Sequence, residues 1–476
     1  MRILMLGWEF PPYIAGGLGV ACYGLTRSLD RLGHSVLFML PRPFERGPAS
    51  QALSPAPGGV PGLAATETVE FPAGSPALGF QHVSFRAVPS TFSSPYPGFN
   101  EPPPLGTDEA TADLSPENAP LGGSPAQPGA PASTLIRVER GGAGRAAAVA
   151  MVPVQRDSAA YSGDLLGDAD RYARLVVSLA RTEPFEVIHA HDWLTYPAGI
   201  ALSRVTGRPL IVHVHSTEFD RSGDNVNQAL YSIERRGMHA ADRVIAVSEY
   251  TKGICVSRYG VPPSKVDVVY NGVENGDAQP PPGAAIESRD KIVLFLGRIT
   301  MQKGPEYFIA AAKRVLEKVE NVKFVVAGSG DMARGMIEQA ARMGIGQKVL
   351  FTGFLRGRDV QRIFQMADCY VMPSVSEPFG IAALEAIQHD VPVIISKQSG
   401  VSEVLTHVLK VDFWDVDEMA NKIIAVLRHP PLSQTLRTHG TFEVRRLTWD
   451  GAGEKCVRVY SRAIEEHARP RRPAHA

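Results

Sequence analysis

Short apolar runs without alternation recur along the chain: RILMLGWEF, SVLFML, EVIHAHD, PLIVHVHS, RVIAVSE and VDVVYNG as far as Gly272, then KIVLFLGR, VKFVVAGSG, KVLFTGF, CYVMPS and VPVIISK. Runs of this kind mark strands of a parallel sheet, whose two faces are both covered by helices. Amphipathic stretches lie between them. Ala21, Leu25, Leu29 and Leu32 recur at helical spacing before Gly33, and GPEYFIAAAKRVLEKV carries Pro305 at a favoured first-turn position. The two sets of runs predict an α/β protein of two doubly wound parallel-sheet domains.

The Gly, Pro and Asn density from Asn271 to Asp290 reads as the hinge between them. This gives a first domain over 1–272, a linker over 273–290, a second domain over 291–447 and a final helix and tail over 448–476. Within the first domain, residues 44–158 are dominated by Pro, Gly, Ala and Ser, with apolar runs too short to repay the entropy of ordering, and read as a poorly ordered insertion. One piece of it, FQHVSFRAVPSTF, alternates enough for a strand or hairpin. Three helices finish the chain, DEMANKIIAVLRH, LSQTLRTHGTFEVRRL and WDGAGEKCVRVYSRAIEEH. In the last, Val457, Tyr460 and Ile464 form a stripe suited to packing across a domain surface, and the tail ARPRRPAHA is expected to fray.

Composition narrows the function. The 476 residues, 44% of them hydrophobic, suffice for sizeable cores, and 49 Lys plus Arg against 49 Asp plus Glu leave no global attraction for nucleic acid or anionic lipid. Cys22, Cys255, Cys369 and Cys456 are isolated, which fits neither a disulfide framework nor a zinc ribbon and suggests a reducing, cytoplasmic setting. Glu9, Pro11 and Pro12 interrupt the N-terminal apolar run, unlike a signal peptide, and no apolar stretch approaches the roughly 20 residues of a membrane span.

Candidate chemistry collects where strands end, the edge at which open α/β sheets bind ligands. After CYVMPS, the segment SVSEPFGIAALEAIQH places Glu377 in a loop and Glu385 in the first turns of a helix running from Gly380 to His389. The free amides of such a helix start favour anions, although either glutamate alone also suits a cap or a solvated helix face. Arg298 and Lys303, in GRITMQKG, lie where two cations would neutralise a departing diphosphate. In AGGLG, Gly16, Gly17 and Gly19 let backbone amides approach a phosphate or sugar, without matching the dinucleotide fingerprint or the phosphate loop.

Two strands end in HAHD and HVHS, setting His189, His191, Asp192, His213 and His215 near one sheet edge. A metallohydrolase site is one reading, because His-x-His on a strand turns both rings to one face. The other keeps His189 and His213 as buried strand positions and presents Asp192 and His215 to a sugar hydroxyl. Asp415 and Asp417 spell DxD just before a helix, where capping by Asp417 or Asp415 is the reading rather than metal ligation.

Together, GWEFPPYIAGGLG, HAHDW, HVHS, GRITMQKG, VAGSGD and EPFGIAALE resemble the retaining glycosyltransferases of family 4 (group 1), especially bacterial members similar to glycogen synthase. The resemblance covers nearly the whole chain outside the insertion and tail. It implies the GT-B fold, in which two Rossmann-like lobes face a cleft and a C-terminal helix crosses back onto the first.

By that resemblance Glu377 is similar to the glutamate that contacts the donor sugar near its anomeric centre, and Glu385 to the one that holds the ribose hydroxyls. Arg298 and Lys303 resemble the pair on the donor diphosphate, with the Gly16 and Gly17 amides facing it. His215 resembles the histidine touching the donor sugar, Asp192 the aspartate of the HDW segment, and Gly328 and Phe354 positions around the nucleotide base. Gly380 and Ile381, inside EPFGIAALE, join the donor-binding set. Starch-synthase-type members carry a lysine two positions before the paired glycines, where this chain has Ile14.

The function expected is a retaining hexosyltransferase moving glucose from UDP- or ADP-glucose to an α-1,4-glucan or maltooligosaccharide. It would act without metal or other cofactor and without nucleic-acid binding or stable membrane insertion. Rival readings within the fold are a family 4 transferase with another sugar or with a lipid or polysaccharide acceptor, a sugar-nucleotide epimerase, and a non-catalytic nucleotide-sugar sensor.

Overall fold

The computed structural model describes residues 1–11, 16–42, 79–89, 165–274, 290–355 and 357–468. Apart from 79–89, the insertion expected over 44–158 lies outside the described residues, as do Ile14, most of the linker and the tail.

The first part of the chain forms β1 (Arg2–Leu6), α1 (Gly17–Arg31), β2 (Ser35–Arg42), β3 (Val83–Pro89), α2 (Leu165–Ala180), β4 (Val187–His191), α3 (Tyr196–Thr206), β5 (Leu210–Val214), α4 (Glu218–Ser222), α5 (Gln228–Ala240), β6 (Arg243–Ala246), α6 (Glu249–Ser257) and β7 (Val266–Val268). Its strands make one parallel sheet in the order β3-β2-β1-β4-β5-β6-β7. Among the described residues the alternating piece of the insertion is therefore a single edge strand, β3.

The second part forms β8 (Lys291–Leu296), α7 (Pro305–Leu316), β9 (Val322–Ala327), α8 (Ala333–Arg342), β10 (Val349–Gly353), α9 (Arg358–Met366), β11 (Cys369–Met372), α10 (Ile381–Gln388), β12 (Val393–Ser396), β13 (Leu409–Val411), α11 (Val416–Arg428), α12 (Pro430–Val444) and α13 (Trp449–Ala468). Its parallel sheet runs β10-β9-β8-β11-β12-β13. In both sheets the order reverses beside the first strand of the unit, which opens a crevice at the carboxyl ends of the strands.

Continuous apolar runs follow from burial on both faces. In the first sheet Leu4, Leu6, Ile188 and Val212 pack towards α2, α3 and α5, while Ile3, Met5, Val187 and Ile211 pack with α1 and α13. The second sheet repeats the plan, with Val293, Phe324 and Ile394 on one side and Leu294, Val325 and Ile395 on the other.

Helix α13 crosses from the second lobe and lies on the first. Its buried stripe is Trp449, Ala452, Gly453, Cys456, Val459, Tyr460 and Ala463, whereas Val457 and Ile464 sit only on the flank. Tyr460 thus belongs to the expected stripe, but small residues carry most of it because α13 lies close against α1. A Cβ on Gly24 would meet the Trp449 ring at 2.2 Å, and one on Gly453 would meet Ser28 Oγ at 2.1 Å. No described helix is long and apolar enough to cross a membrane.

Candidate functional site

Four loops of the second lobe converge at the carboxyl edge of its sheet. The chain leaves β8 through Gly297 and Arg298 into a 3-10 turn, Met301–Lys303, closed by Gly304 at φ 63°. A Cβ there would lie 2.2 Å from the Pro373 carbonyl, so only glycine lets this turn press against the loop after β11. That approach brings Lys303 Nζ to 2.5 Å from Glu377 Oε2, and Ser374 Oγ donates to the same oxygen at 3.0 Å. Glu377 is only 6% exposed. Its backbone is pinned by Glu377 N to the Gln398 carbonyl and by Gly400 N to its own carbonyl, each 2.9 Å.

Arg298 donates to Gln302 Oε1 at 3.2 Å, and the Gln302 carbonyl accepts from Val375 N at 3.0 Å, which ties the cationic turn to the glutamate loop. Gly328 (φ 145°) follows β9 beside Gly297, where a Cβ would fall 1.8 Å from the Gly297 carbonyl, and it donates to the carbonyl of Gly353, the last residue of β10. Phe354, next in the chain, is 41% exposed. Gly328, Phe354, Arg298, Lys303 and Glu377 therefore share one edge. Gly380, at φ 112°, caps α10, and Ile381 begins it. Glu385, one turn on, is partly exposed and has no side-chain partner among the described residues; loss of hydration pushes its pKa up to about 7.

The first lobe supplies a different edge. His191 pairs with His213 across β4 and β5, and the four imidazoles of 189, 191, 213 and 215 form a stack on the face that α13 covers. His191 Nδ1 lies 2.9 Å from His215 Nε2, and His189 Nδ1 lies 2.8 Å from the Tyr460 hydroxyl. Burial holds all four pKa values far below the usual range, to about 3 for His189 and His215, so all are neutral at any working pH.

Nitrogens of His189, His191 and His213 lie within 4.8 Å of one another, which makes this the grouping to test as a metal centre. It fits poorly. Neighbouring rings stack with interplanar angles of 13–39°, so their in-plane lone pairs run side by side rather than meeting at one point.

Asp192, expected to face a sugar hydroxyl, also holds backbone. It adopts φ 55° at the end of β4, and its Oδ1 accepts from His215 N at 2.7 Å and Ser216 N at 3.4 Å. It is a brace for the His215 turn, with burial raising its pKa to about 7. The glycine loop also carries a constraint: Gly16 N, at the start of α1, donates to Glu9 Oε2 at 3.3 Å, so that amide already has a carboxylate partner. Gly17 begins α1 with open space where a Cβ would point. Asp415 caps α11 through Glu418 N and Asp417 pairs with Arg314, as expected of helix-start carboxylates.

Residues missed by reading the sequence join the two lobes. Ser376 Oγ, next to Glu377, donates to Asp220 Oδ1 at 2.5 Å and lies 2.9 Å from the Tyr250 hydroxyl. Ser248 Oγ donates to the Pro378 carbonyl at 2.6 Å, and Glu403 accepts from the amides of Glu249 and Tyr250 at the start of α6. The first lobe therefore grips the Glu377 loop on both sides of the glutamate. Asp220 is held in turn by Thr217 N and Oγ1, each at 2.7 Å, in a capping box. That box, Thr217–Asp220 directly after HVHS, was the one available signal. Glu9 gave none, because only its burial (1% exposed) marks it.

Family models match along the chain. "Glycosyl transferases group 1" covers residues 281–441, "Glycosyltransferase Family 4" covers 138–275, and the starch synthase catalytic domain covers 2–58. An uncharacterized glycosyltransferase of Methanocaldococcus jannaschii is 32% identical over 60% of this chain and 77% of that protein. A D-inositol 3-phosphate glycosyltransferase of Segniliparus rotundus is 27% identical over 58% of this chain and 66% of that protein. A glycogen synthase of Mycobacterium tuberculosis is 25% identical over 85% and 80%. Among solved structures, sucrose-phosphate synthase from Thermosynechococcus elongatus superposes with a TM-score of 0.68 at 17% identity, over 98% of this chain and all of that one, and shares the two-lobed GT-B fold.

Proposed function

The chain belongs to the group 1 glycosyltransferases, and from that premise we propose that it moves glucose from UDP- or ADP-glucose to the non-reducing end of an α-1,4-glucan, keeping the α configuration. The observation that carries this reading is the contact of Lys303 with buried Glu377 at the sheet edge. In this reading one anion, Glu377, and two cations, Lys303 and Arg298, meet the sugar–diphosphate bond as it breaks.

In the proposed reaction the anomeric C–O bond to the diphosphate breaks as the acceptor oxygen bonds to the same face of the sugar. The acceptor proton passes to the leaving phosphate oxygen. Glu377 stabilises the positive charge that develops on the ring, while Lys303 and Arg298 stabilise the departing diphosphate, the role a metal ion takes in other transferases. A covalent intermediate would need a second free carboxylate. In the first lobe both oxygens of Asp220 are held by Ser376 and Thr217, Asp192 Oδ1 by the His215 and Ser216 amides, and Glu9 Oε2 by the Gly16 amide, which favours the front-side route. The donor then rests mainly on the second lobe and the acceptor on the first, with the closed lobes excluding water.

The glucan acceptor is supported by the glycogen synthase match, which spans more of this chain than the other two relatives do. Incubation with UDP- and ADP-glucose, with and without maltooligosaccharide, tests it. A ladder of lengthened oligosaccharides that an α-1,4-specific amylase digests is the expected product. A single disaccharide, a glycolipid or an inverted anomeric signal by NMR overturns it.

A further inference from the structure

His215 is half-buried, and its two ring nitrogens have different surroundings. Nε2 meets His191 Nδ1 at 2.9 Å. Nδ1 is not among the fully buried nitrogens and has no partner among the described residues, so it is the atom open to the cleft. A neutral imidazole carries one proton. Whether His215 offers the cleft a donor or an acceptor is therefore decided by what sits on its other nitrogen.

His191 decides it. Its Nε2 is fully buried and has no partner among the described residues. If the His191 proton sat on Nε2, the protein would bury an unsatisfied N–H, the rarer and costlier kind of orphan; on Nδ1 the same proton is hydrogen-bonded to His215 and Nε2 keeps only a lone pair. His191 is also too confined to swing away. Its ring lies 4.2 Å from that of His189 and 5.3 Å from that of His213, centroid to centroid, and His189 is anchored through Nδ1 to Tyr460 of the crossing helix. On the other side, Asp192 holds the His215 backbone amide, which fixes where the His215 ring starts.

We infer that His191 is a positioning residue that donates from Nδ1 to His215 Nε2, and so holds His215 as the Nδ1–H tautomer, a neutral hydrogen-bond donor aimed at an oxygen of the bound donor, either a sugar hydroxyl or a phosphate oxygen. The inference rests on the reading of this cleft as the nucleotide-sugar site, but the tautomer itself does not depend on substrate. Because burial keeps both rings neutral, the donor character persists across the working pH range.

The test is ring ¹⁵N NMR on the full chain labelled at histidine, without substrate, with the His215 signals identified by their loss in His215→Gln. The wild type should show His215 and His191 both protonated at Nδ1. His191→Leu should shift His215 towards Nε2–H and lower kcat/KM about tenfold, the scale of one hydrogen bond. His191→Asn, whose amide nitrogen can take the place of Nδ1, should keep the wild-type tautomer and most of the activity. Should the leucine variant fail to fold, the wild-type and asparagine spectra decide the matter. A wild-type His215 protonated at Nε2, or a folded leucine variant with His215 unchanged, overturns the inference. If the tautomer shifts as expected and kcat/KM does not move, the assignment of His191 stands and the donor-contact reading of His215 falls.

Discussion

The two sheet edges facing the cleft are built on opposite electrical plans. On the second lobe, unlike charges touch, with Lys303 on Glu377, while Glu385 has no side-chain partner among the described residues. On the first lobe, four imidazoles stripped of charge by burial are stacked behind a braced aspartate. The first plan suits chemistry in which charge develops and must be met; the second suits orienting a neutral group without adding charge. The two are joined where Asp220 and Tyr250 reach the Ser376 hydroxyl beside Glu377.

The sharpest way to break this contrast is to remove charge from the second edge. Glu377→Gln should lower kcat by about 10²- to 10³-fold with an unchanged unfolding midpoint, since a preorganised charge is lost while the loop keeps its backbone bonds. Steady-state kinetics beside thermal unfolding reads this, and near-normal turnover sinks the assignment.

Lys303→Ala should follow closely, at about 10²-fold. It also frees Glu377 to hold only Ser374. In the wild type a chelator should leave the rate unchanged, whereas loss in EDTA restored by a divalent ion would return the histidine stack to consideration as a metal site.

Cutting the link between the edges should cost less. Ser376→Ala removes the bonds to Asp220 and Tyr250 but leaves Asp220 its two bonds to Thr217. One charge-assisted hydrogen bond is worth about tenfold. We expect that loss in kcat, little change in donor KM, and a larger radius of gyration by small-angle X-ray scattering as the lobes part. A fall in KM alone would argue against the link.

Glu385 offers the mildest test. With its pKa raised to about 7, the carboxylate is protonated below neutrality and ionised above it. In the proposed donor complex ribose hydroxyls would donate to the ionised form, so donor KM should fall severalfold between about pH 6 and 8 and level off beyond. Glu385→Gln should flatten this dependence, and because Asp192 titrates in the same range, only the dependence lost in that variant belongs to Glu385.

How far these edges could be read beforehand differs residue by residue. Glu377, Arg298 and Lys303 were legible because each follows an apolar run, and a strand's end is where a doubly wound sheet binds. The edge strand β3 was legible from VSFRAVP, and the crossing helix from Tyr460. Asp192 was found, but its bond to the His215 amide was not, since the left-handed backbone that turns Oδ1 towards that amide leaves no local pattern. Ser376 and Asp220, 156 residues apart, offered nothing beyond a capping pattern.

By itself the sequence determined where strands and helices lie, that two parallel sheets form, and that the motif residues end up at their carboxyl edges. These outcomes rest on periodic burial, a signal repeated over many neighbouring residues and insensitive to any single contact. Tertiary structure alone decided the partners: Lys303 on Glu377, Ser376 on Asp220, His191 on His215, and Tyr460 of the last helix on His189. Each of these is a directional bond that must be met to within a few tenths of an ångström by groups 24 to 271 residues apart. That precision is absent from local pattern and comes only from how the sheets, lobes and crossing helix pack.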